Sequence, residues 1–143
     1  MSLATYFKRN KNPRKDLHSL FICDRNGLVH GGISNEHHAI IYTSNVAKTV
    51  QFYTQAFGLK CEFIHNQINL AELVSGNCTL TAPTINRELV DFSMLTNDLS
   101  STFNRALSAG AIMVQSPGKC SDGDLFALVR DGNGFLIEII QES

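Results

Sequence analysis

The apolar run FLIEIIQ at residues 135–141 follows the glycine-rich turn DGNG and predicts a strand. Successive side chains of a strand point to opposite faces, so Phe135, Ile137 and Ile139 share one face. Glu138 lies on the other face among large apolar residues, and neither face has the polar residues that a solvated face carries. Burial of an unpaired carboxylate is costly, so Glu138 must have a partner or a function.

Two further segments have the 3.6-residue period of amphipathic helices. The first, near residues 46–57, places its apolar residues on one stripe, begins after a capping residue at Asn45 and ends before Gly58. The second, near residues 99–109, follows a capping residue at Asp98. We therefore expect two helices, each preceded by one strand-like segment and followed by three.

The order of these patterns repeats, since the two capping residues lie 53 positions apart and the strand-like segments around them correspond. The sequence predicts two βαβββ modules, at residues 37–84 and 90–141, which form one domain over residues 37–141. Residues 1–36 are interpreted as an N-terminal extension. This extension contains a predicted hairpin over residues 17–33, which consists of the strand-like segment LHSLFIC, the turn DRNG and the segment LVHGGI.

Composition and charge narrow the class of protein. Hydrophobic residues make up 43% and charged residues 17% of the 143 residues, which is typical of a globular domain. Basic residues concentrate in residues 8–15, whereas the remaining chain is acidic, which argues against a nucleic-acid partner. No apolar run approaches the roughly 20 residues of a membrane span, so we expect no membrane partner. The four cysteines are widely spaced, so we expect free thiols and a cytoplasmic location.

The paired βαβββ patterns, with FYTQAFGL closing the first helix and RDGNGFLIEII ending the second module, resemble the vicinal oxygen chelate superfamily. This superfamily includes glyoxalase I, bleomycin resistance proteins and extradiol dioxygenases. The resemblance covers residues 37–141 and implies an α+β fold. In such a fold the two modules form a cup from a curved mixed sheet, with the helices on the outside.

The resemblance also implies a metal site, because the family takes one ligand from each of four strands of the cup. His38, Asp91 and Glu138 match three of these positions, with Asp91 standing where a histidine is expected. The fourth position falls on Thr79 or Thr81, which supply no carboxylate. One histidine with two carboxylates suits Mn²⁺, Fe²⁺ or Mg²⁺.

Different functions remain open at this point. The protein binds an apolar or cationic small molecule in the cup without chemistry, or it is a divalent-metal-dependent lyase, isomerase or dioxygenase with Glu138 as the catalytic residue. In a third interpretation, His38 forms a buried pair with Glu138 or Asp91 and no metal binds. Under the binding interpretation four residues line the ligand, Tyr42, Ser93, Leu95 and Leu136. The family pattern also predicts a homodimer.

Overall fold

The structure of the protein is a computed structural model, which describes residues 15–25, 38–65, 69–83 and 90–143. These residues form an α+β fold with two helices and two mixed sheets that do not close into a barrel. The basic stretch before Lys15 and the second half of the predicted hairpin lie outside the described residues.

Both predicted helices are confirmed. Helix α1 spans Val46–Phe57, and its first turn is capped by the side chain of Asn45, which accepts from the Lys48 N–H. Gly58 ends the helix with φ of 63°, a left-handed conformation that glycine adopts without steric cost. Helix α2 spans Leu99–Ser108 and is capped by Asp98, which accepts from the Ser101 N–H.

The second sheet contains the strands of the second module and one strand of the first. Its order is β5-β6-β9-β8-β7, with β6 parallel to β9 and the other neighbours antiparallel. The strands are β5 (Thr79–Thr81), β6 (Phe92–Leu95), β7 (Ile112–Lys119), β8 (Leu125–Arg130) and β9 (Leu136–Gln141). The last strand of the second module therefore lies beside its first strand.

The first sheet departs from this arrangement. Its order is β2-β1-β4-β3, and its strands are β1 (Ser19–Asp24), β2 (His38–Thr43), β3 (Lys60–His65) and β4 (Leu70–Val74). β1 comes from the predicted N-terminal extension, pairs parallel to β2 and antiparallel to β4, and so occupies the position that β9 has in the second sheet. β5, the counterpart of β9 in the first module, pairs with β6 instead.

The lengths and sequences of the two competing strands account for this exchange. β1 has six residues, pairs along both of its edges, and buries Leu20 and Ile22 fully on its helix side. β5 has only three residues and is followed closely by Pro83, which has no N–H to donate to a neighbouring strand. A central position therefore suits β1, and a sheet edge suits β5.

The core lies between the sheets and the two helices. Strand alternation places Ile41, Met94, Ile137 and Ile139 on the helix side of their strands, and all four lie in this core. The same alternation, extended back to Val90, would place it on the helix side, but Val90 precedes β6 and packs with the apolar residues of the opposite face. We call that opposite surface of each sheet its helix-distal face.

Candidate functional site

Glu138 lies on the helix-distal face of the second sheet, as its position in the strand predicts. The side chain is fully buried, and its Oε1 accepts a hydrogen bond of 2.6 Å from the Ser93 hydroxyl. Ser93 is also fully buried and is the register partner of Glu138 across the parallel pair β6–β9. A hydrogen bond to a charged acceptor is short and strong, so Ser93 fixes the orientation of the Glu138 carboxylate.

Apolar side chains surround this carboxylate. The buried members of the cluster on this face are Val90, Phe126, Leu128, Leu136 and Ile140. Leu95 and Cys120 are partly buried and pack against them. Ser93, Leu95 and Leu136, three of the four predicted ligand-contacting residues, therefore lie on the same face as Glu138. The surface is an apolar wall with one acidic group at its centre.

Asp91 has a different environment from Glu138. It is exposed, and its Oδ2 accepts a hydrogen bond of 2.8 Å from the backbone N–H of Leu136. The backbone N–H of Asp91 in turn donates to the Leu136 carbonyl at 2.9 Å. Asp91 precedes β6. The alternation that places Ser93 on the helix-distal face therefore does not fix the direction of the Asp91 side chain. Its carboxylate instead extends the pairing of β6 with β9 by one hydrogen bond.

His38 begins β2 on the helix-distal face of the first sheet, and Tyr42 lies further along the same strand face. Both side chains are half-buried. The His38 ring contacts the rings of His18, at a centroid separation of 5.6 Å, and Phe21, at 5.2 Å. Its Nδ1 is buried and has no hydrogen-bond partner among the described residues.

The first sheet carries its own serine–carboxylate pair, which the sequence did not reveal. The Ser19 hydroxyl donates to Oε2 of Glu72 across the neighbouring strands β1 and β4. Phe21 faces Ile40 in the register, just as Glu138 faces Ser93. Phe21 therefore occupies in the first sheet the position that Glu138 has in the second. The acidic residue of the first sheet is Glu72, which lies on the neighbouring strand β4. The alternation of side chains along a single strand could not predict the pair of Ser19 and Glu72, because this pair depends on which strands lie side by side.

The three predicted metal ligands are divided between the two sheets, with His38 on the first and Asp91 and Glu138 next to or within the second. Within the described parts of the chain, no group of three or more His, Cys, Asp or Glu residues could hold a metal ion. Asp91 is engaged by a backbone N–H and Glu138 by Ser93. The described donor set therefore does not fit a divalent-metal centre, and the metal role of these residues stays a prediction. Of the two threonines at the predicted fourth position, Thr81 is fully buried and Thr79 is partly exposed.

All four cysteines carry free thiols, as predicted. Burial raises the pKa of the Cys23 and Cys78 thiols above the usual range. A raised pKa leaves less of the nucleophilic thiolate at neutral pH, so neither residue is suited to nucleophilic chemistry.

The chain belongs to the Glyoxalase/Bleomycin resistance protein/Dioxygenase superfamily, whose family model matches residues 36–139. The comparison with curated proteins gave no match. The match leaves out β1, which is nevertheless part of the first sheet.

Solved structures with a similar fold include an integron cassette protein from V. cholerae, with 19% identity, a TM-score of 0.53 and coverage of 80% of this chain and 99% of that one. A superfamily member from Sphaerobacter thermophilus has 17% identity and a TM-score of 0.51, covering 77% of this chain and 98% of that one. TioX from Micromonospora sp. ML1 has 16% identity and a TM-score of 0.50, covering 73% of this chain and 94% of that one. At these identities the likeness shows the fold alone. Neither helix in the described part of the chain is long and apolar enough to cross a membrane.

Proposed function

We propose that the protein binds a small molecule with an apolar body and one positive group, in the manner suggested by the glyoxalase/bleomycin-resistance type of fold. The observation that carries this proposal is the fully buried Glu138 carboxylate, oriented by Ser93 within an apolar wall. A cationic group neutralises the carboxylate, and the apolar body packs on the wall. The fold by itself does not define the ligand, because one scaffold hosts many functions.

Each residue of this face has a physical role in the proposal. Glu138 supplies the charge, and Ser93 keeps its carboxylate in one orientation. Leu95 and Leu136 supply apolar contact area, and Tyr42 contributes from the first sheet. Because Glu138 and Ser93 are fully buried, the face must open before a ligand enters, so we expect association slower than the usual encounter of a ligand with an exposed cleft.

Thermal unfolding in the presence of ligands tests this function. Lipophilic primary amines should raise the melting temperature of the wild type, since a ligand at one hundred times its Kd stabilises the folded state by about 2.7 kcal/mol. Glu138→Gln keeps the size of the side chain and removes its charge, so it should abolish the part of the gain that arises at this face. Neutral alcohols of the same carbon skeleton serve as the ligand control.

The metal-dependent alternative is an outcome of the same experiment. If Mn²⁺, Fe²⁺ or Mg²⁺ stabilises the wild type and not Glu138→Gln, whereas amines do nothing, a lyase, isomerase or dioxygenase function replaces the binding function. If Glu138→Leu is simply more stable and neither protein responds to amines or metals, both functions are excluded and Glu138 is a structural residue.

We also propose that the protein forms a homodimer and works in the cytoplasm. The edge strands β3 and β7 support the dimer, because they expose large apolar side chains, namely Phe63, Ile64, Ile112, Met113 and Val114. Exposed apolar edge strands favour pairing with another chain. The free thiols support a reducing compartment.

A further inference from the structure

A cleft of about 900 Å³ opens at the end of the first sheet where β1 and β2 begin. The N-terminal segment supplies Asp16 and His18 to its lining, β2 supplies His38, and β3 supplies Glu62. Thr79, from β5 of the second sheet, completes the side between the sheets. The cleft therefore depends on a segment that the superfamily match at residues 36–139 does not include.

The N-terminal segment is held firmly at this place. The Leu17 N–H donates to the Leu80 carbonyl at 2.9 Å, and the Ala82 N–H donates to the Lys15 carbonyl at 2.8 Å. Leu17 itself is buried in the main core. Asp16 and His18 flank this anchored residue, so they belong to a fixed wall of the cleft.

The charge in the cleft has one sign. Among the described residues that line it, the side chains with a full charge at neutral pH are Asp16 and Glu62, and none is a lysine or arginine. Beside the lining the charges are mixed, because Glu72, which is bound by Ser19, shares the strand face of Val74, and Lys60 is the register partner of Val74. The lining itself keeps its two carboxylates. A cation is attracted to such a cleft and an anion is repelled.

His38 adds a requirement for hydrogen bonding. Its buried Nδ1 has no partner among the described residues, although buried polar atoms are nearly always hydrogen-bonded. Because Nδ1 is buried, the neutral imidazole must turn before a ligand with an N–H group in the cleft can donate to this nitrogen. The His38 ring contacts the rings of both His18 and Phe21, and the three rings form an aromatic surface beside the same atom.

We propose that this cleft binds small organic ammonium ions. The ammonium group donates to His38 Nδ1 and is neutralised by Asp16 and Glu62, while its apolar substituent packs on the aromatic surface. A bare divalent metal ion is a poorer occupant, because the described residues provide no group of three suitable ligands. The site uses neither Glu138 nor Ser93, so it is separate from the proposed function and stands or falls independently of it.

Nuclear magnetic resonance titration of the full-length chain with benzylamine tests the proposal. The amide signals of Val74 and Ser75 report on the cleft, and those of Leu136 and Ile140 report on the face around Glu138. Benzylamine should shift the first group. Benzyl alcohol, of the same shape without the charge, should bind at least about tenfold more weakly, because charge-assisted hydrogen bonds are the stronger ones. Benzoate should not bind.

The variant Asp16→Asn/Glu62→Gln removes both charges and changes little else, since both side chains are exposed. It should weaken benzylamine binding by about tenfold or more. His38→Phe keeps an aromatic ring beside His18 and Phe21 and removes Nδ1, so it should weaken binding as well. Glu142→Gln, which removes one charge outside the cleft, is the matched control and should bind as the wild type does.

Three results would overturn the proposal. They are equal binding of benzylamine and benzyl alcohol, unchanged binding by the Asp16→Asn/Glu62→Gln variant, and an absence of shifts at Val74 and Ser75 at millimolar amine. Shifts confined to Leu136 and Ile140 would also overturn it, while supporting the site at Glu138.

Discussion

The Tyr53 hydroxyl donates a hydrogen bond of 2.5 Å to Oδ2 of Asp131 and so joins α1 of the first module to the turn between β8 and β9 of the second. Both residues are buried. Oδ1 of Asp131 accepts from the backbone N–H groups of Asn133 and Phe135 at 2.9 and 2.8 Å. Asp131 thus organises its own turn and binds the helix of the other module at the same time.

Tyr53→Phe should lower the free energy of unfolding by roughly 1.5–3 kcal/mol, because it removes one hydrogen bond from a buried carboxylate. Urea denaturation measures the change. In a double-mutant cycle with Asp131→Asn, the two single changes should not add, since both break the same contact. Full additivity would show that the contact contributes nothing to stability.

Stability at high pH should also depend on Tyr53. Burial, followed by the charge of Asp131 and the hydrogen bond to it, raises the pKa of Tyr53 well above its usual value of 10.0. The folded chain therefore keeps a proton that the unfolded chain loses above about pH 10. The resulting stabilisation is complete below that pH and is lost as pH rises towards the folded pKa, by up to about 1.4 kcal/mol per unit.

Unfolding measured between about pH 9 and pH 11 tests this dependence. The loss of stability per pH unit should be smaller in Tyr53→Phe than in the wild type, because the other titrating groups are common to both proteins. Parallel curves for the two proteins would contradict the role given to Tyr53.

The pair Ser93 and Glu138 gives a prediction for the candidate site. Ser93→Ala should lower the free energy of unfolding by roughly 1–3 kcal/mol, because it removes a donor from a fully buried carboxylate. Ser100→Ala, on the exposed surface of α2, is the matched control and should change stability by no more than about 0.5 kcal/mol. Equal effects would mean that Ser93 does not hold the Glu138 carboxylate.

Local sequence patterns were sufficient to predict the two helices and to predict which face of a strand each side chain occupies. The caps at Asn45 and Asp98 and the inward side of β9 follow from nearest neighbours in sequence, and they are confirmed. Two buried helix residues were nevertheless missed, Thr49 and Thr102, which occupy equivalent places in the two helices. Their hydroxyls bond to Thr43 and Thr96, so contacts outside the helix explain why these polar residues are buried.

The arrangement of strands could not be predicted in the same way. Alternation identifies Ser19–Asp24 as strand-like, but it does not say which strands lie on either side. The pair Ser19–Glu72 and the cleft beside His38 both depend on β1 lying between β2 and β4. Sequence reasoning therefore placed Glu138 correctly on its face, whereas Glu72 was recognised only as a spare carboxylate of the first module and its pairing with Ser19 was missed.

The predicted homodimer gives a direct test of the exposed edge strands. Light scattering at micromolar concentration should give twice the chain mass of 15.8 kDa for the wild type. Ile64→Lys combined with Met113→Lys places charges on β3 and β7 and should give the mass of a single chain. Gln51→Lys, on the exposed surface of α1, is the control and should remain dimeric. A single-chain mass for the wild type would exclude the dimer.

The place of β1 within the first sheet leads to a prediction about the N-terminal segment. Ile22 is fully buried and pairs with Ile41 on one side and Ala71 on the other. Ile22→Ala should therefore cost roughly 2–5 kcal/mol of unfolding free energy, as for other large core residues. Ile64→Ala is the matched control, because this isoleucine is 54% exposed on the edge strand β3 and should cost no more than about 0.5 kcal/mol. Denaturant unfolding gives both values, and hydrogen exchange should show the amides of β1 protected to the same degree as those of β4. Equal costs for the two variants, or rapid exchange throughout β1, would mean that the segment is not a strand of this sheet and would remove the wall of the cleft as well.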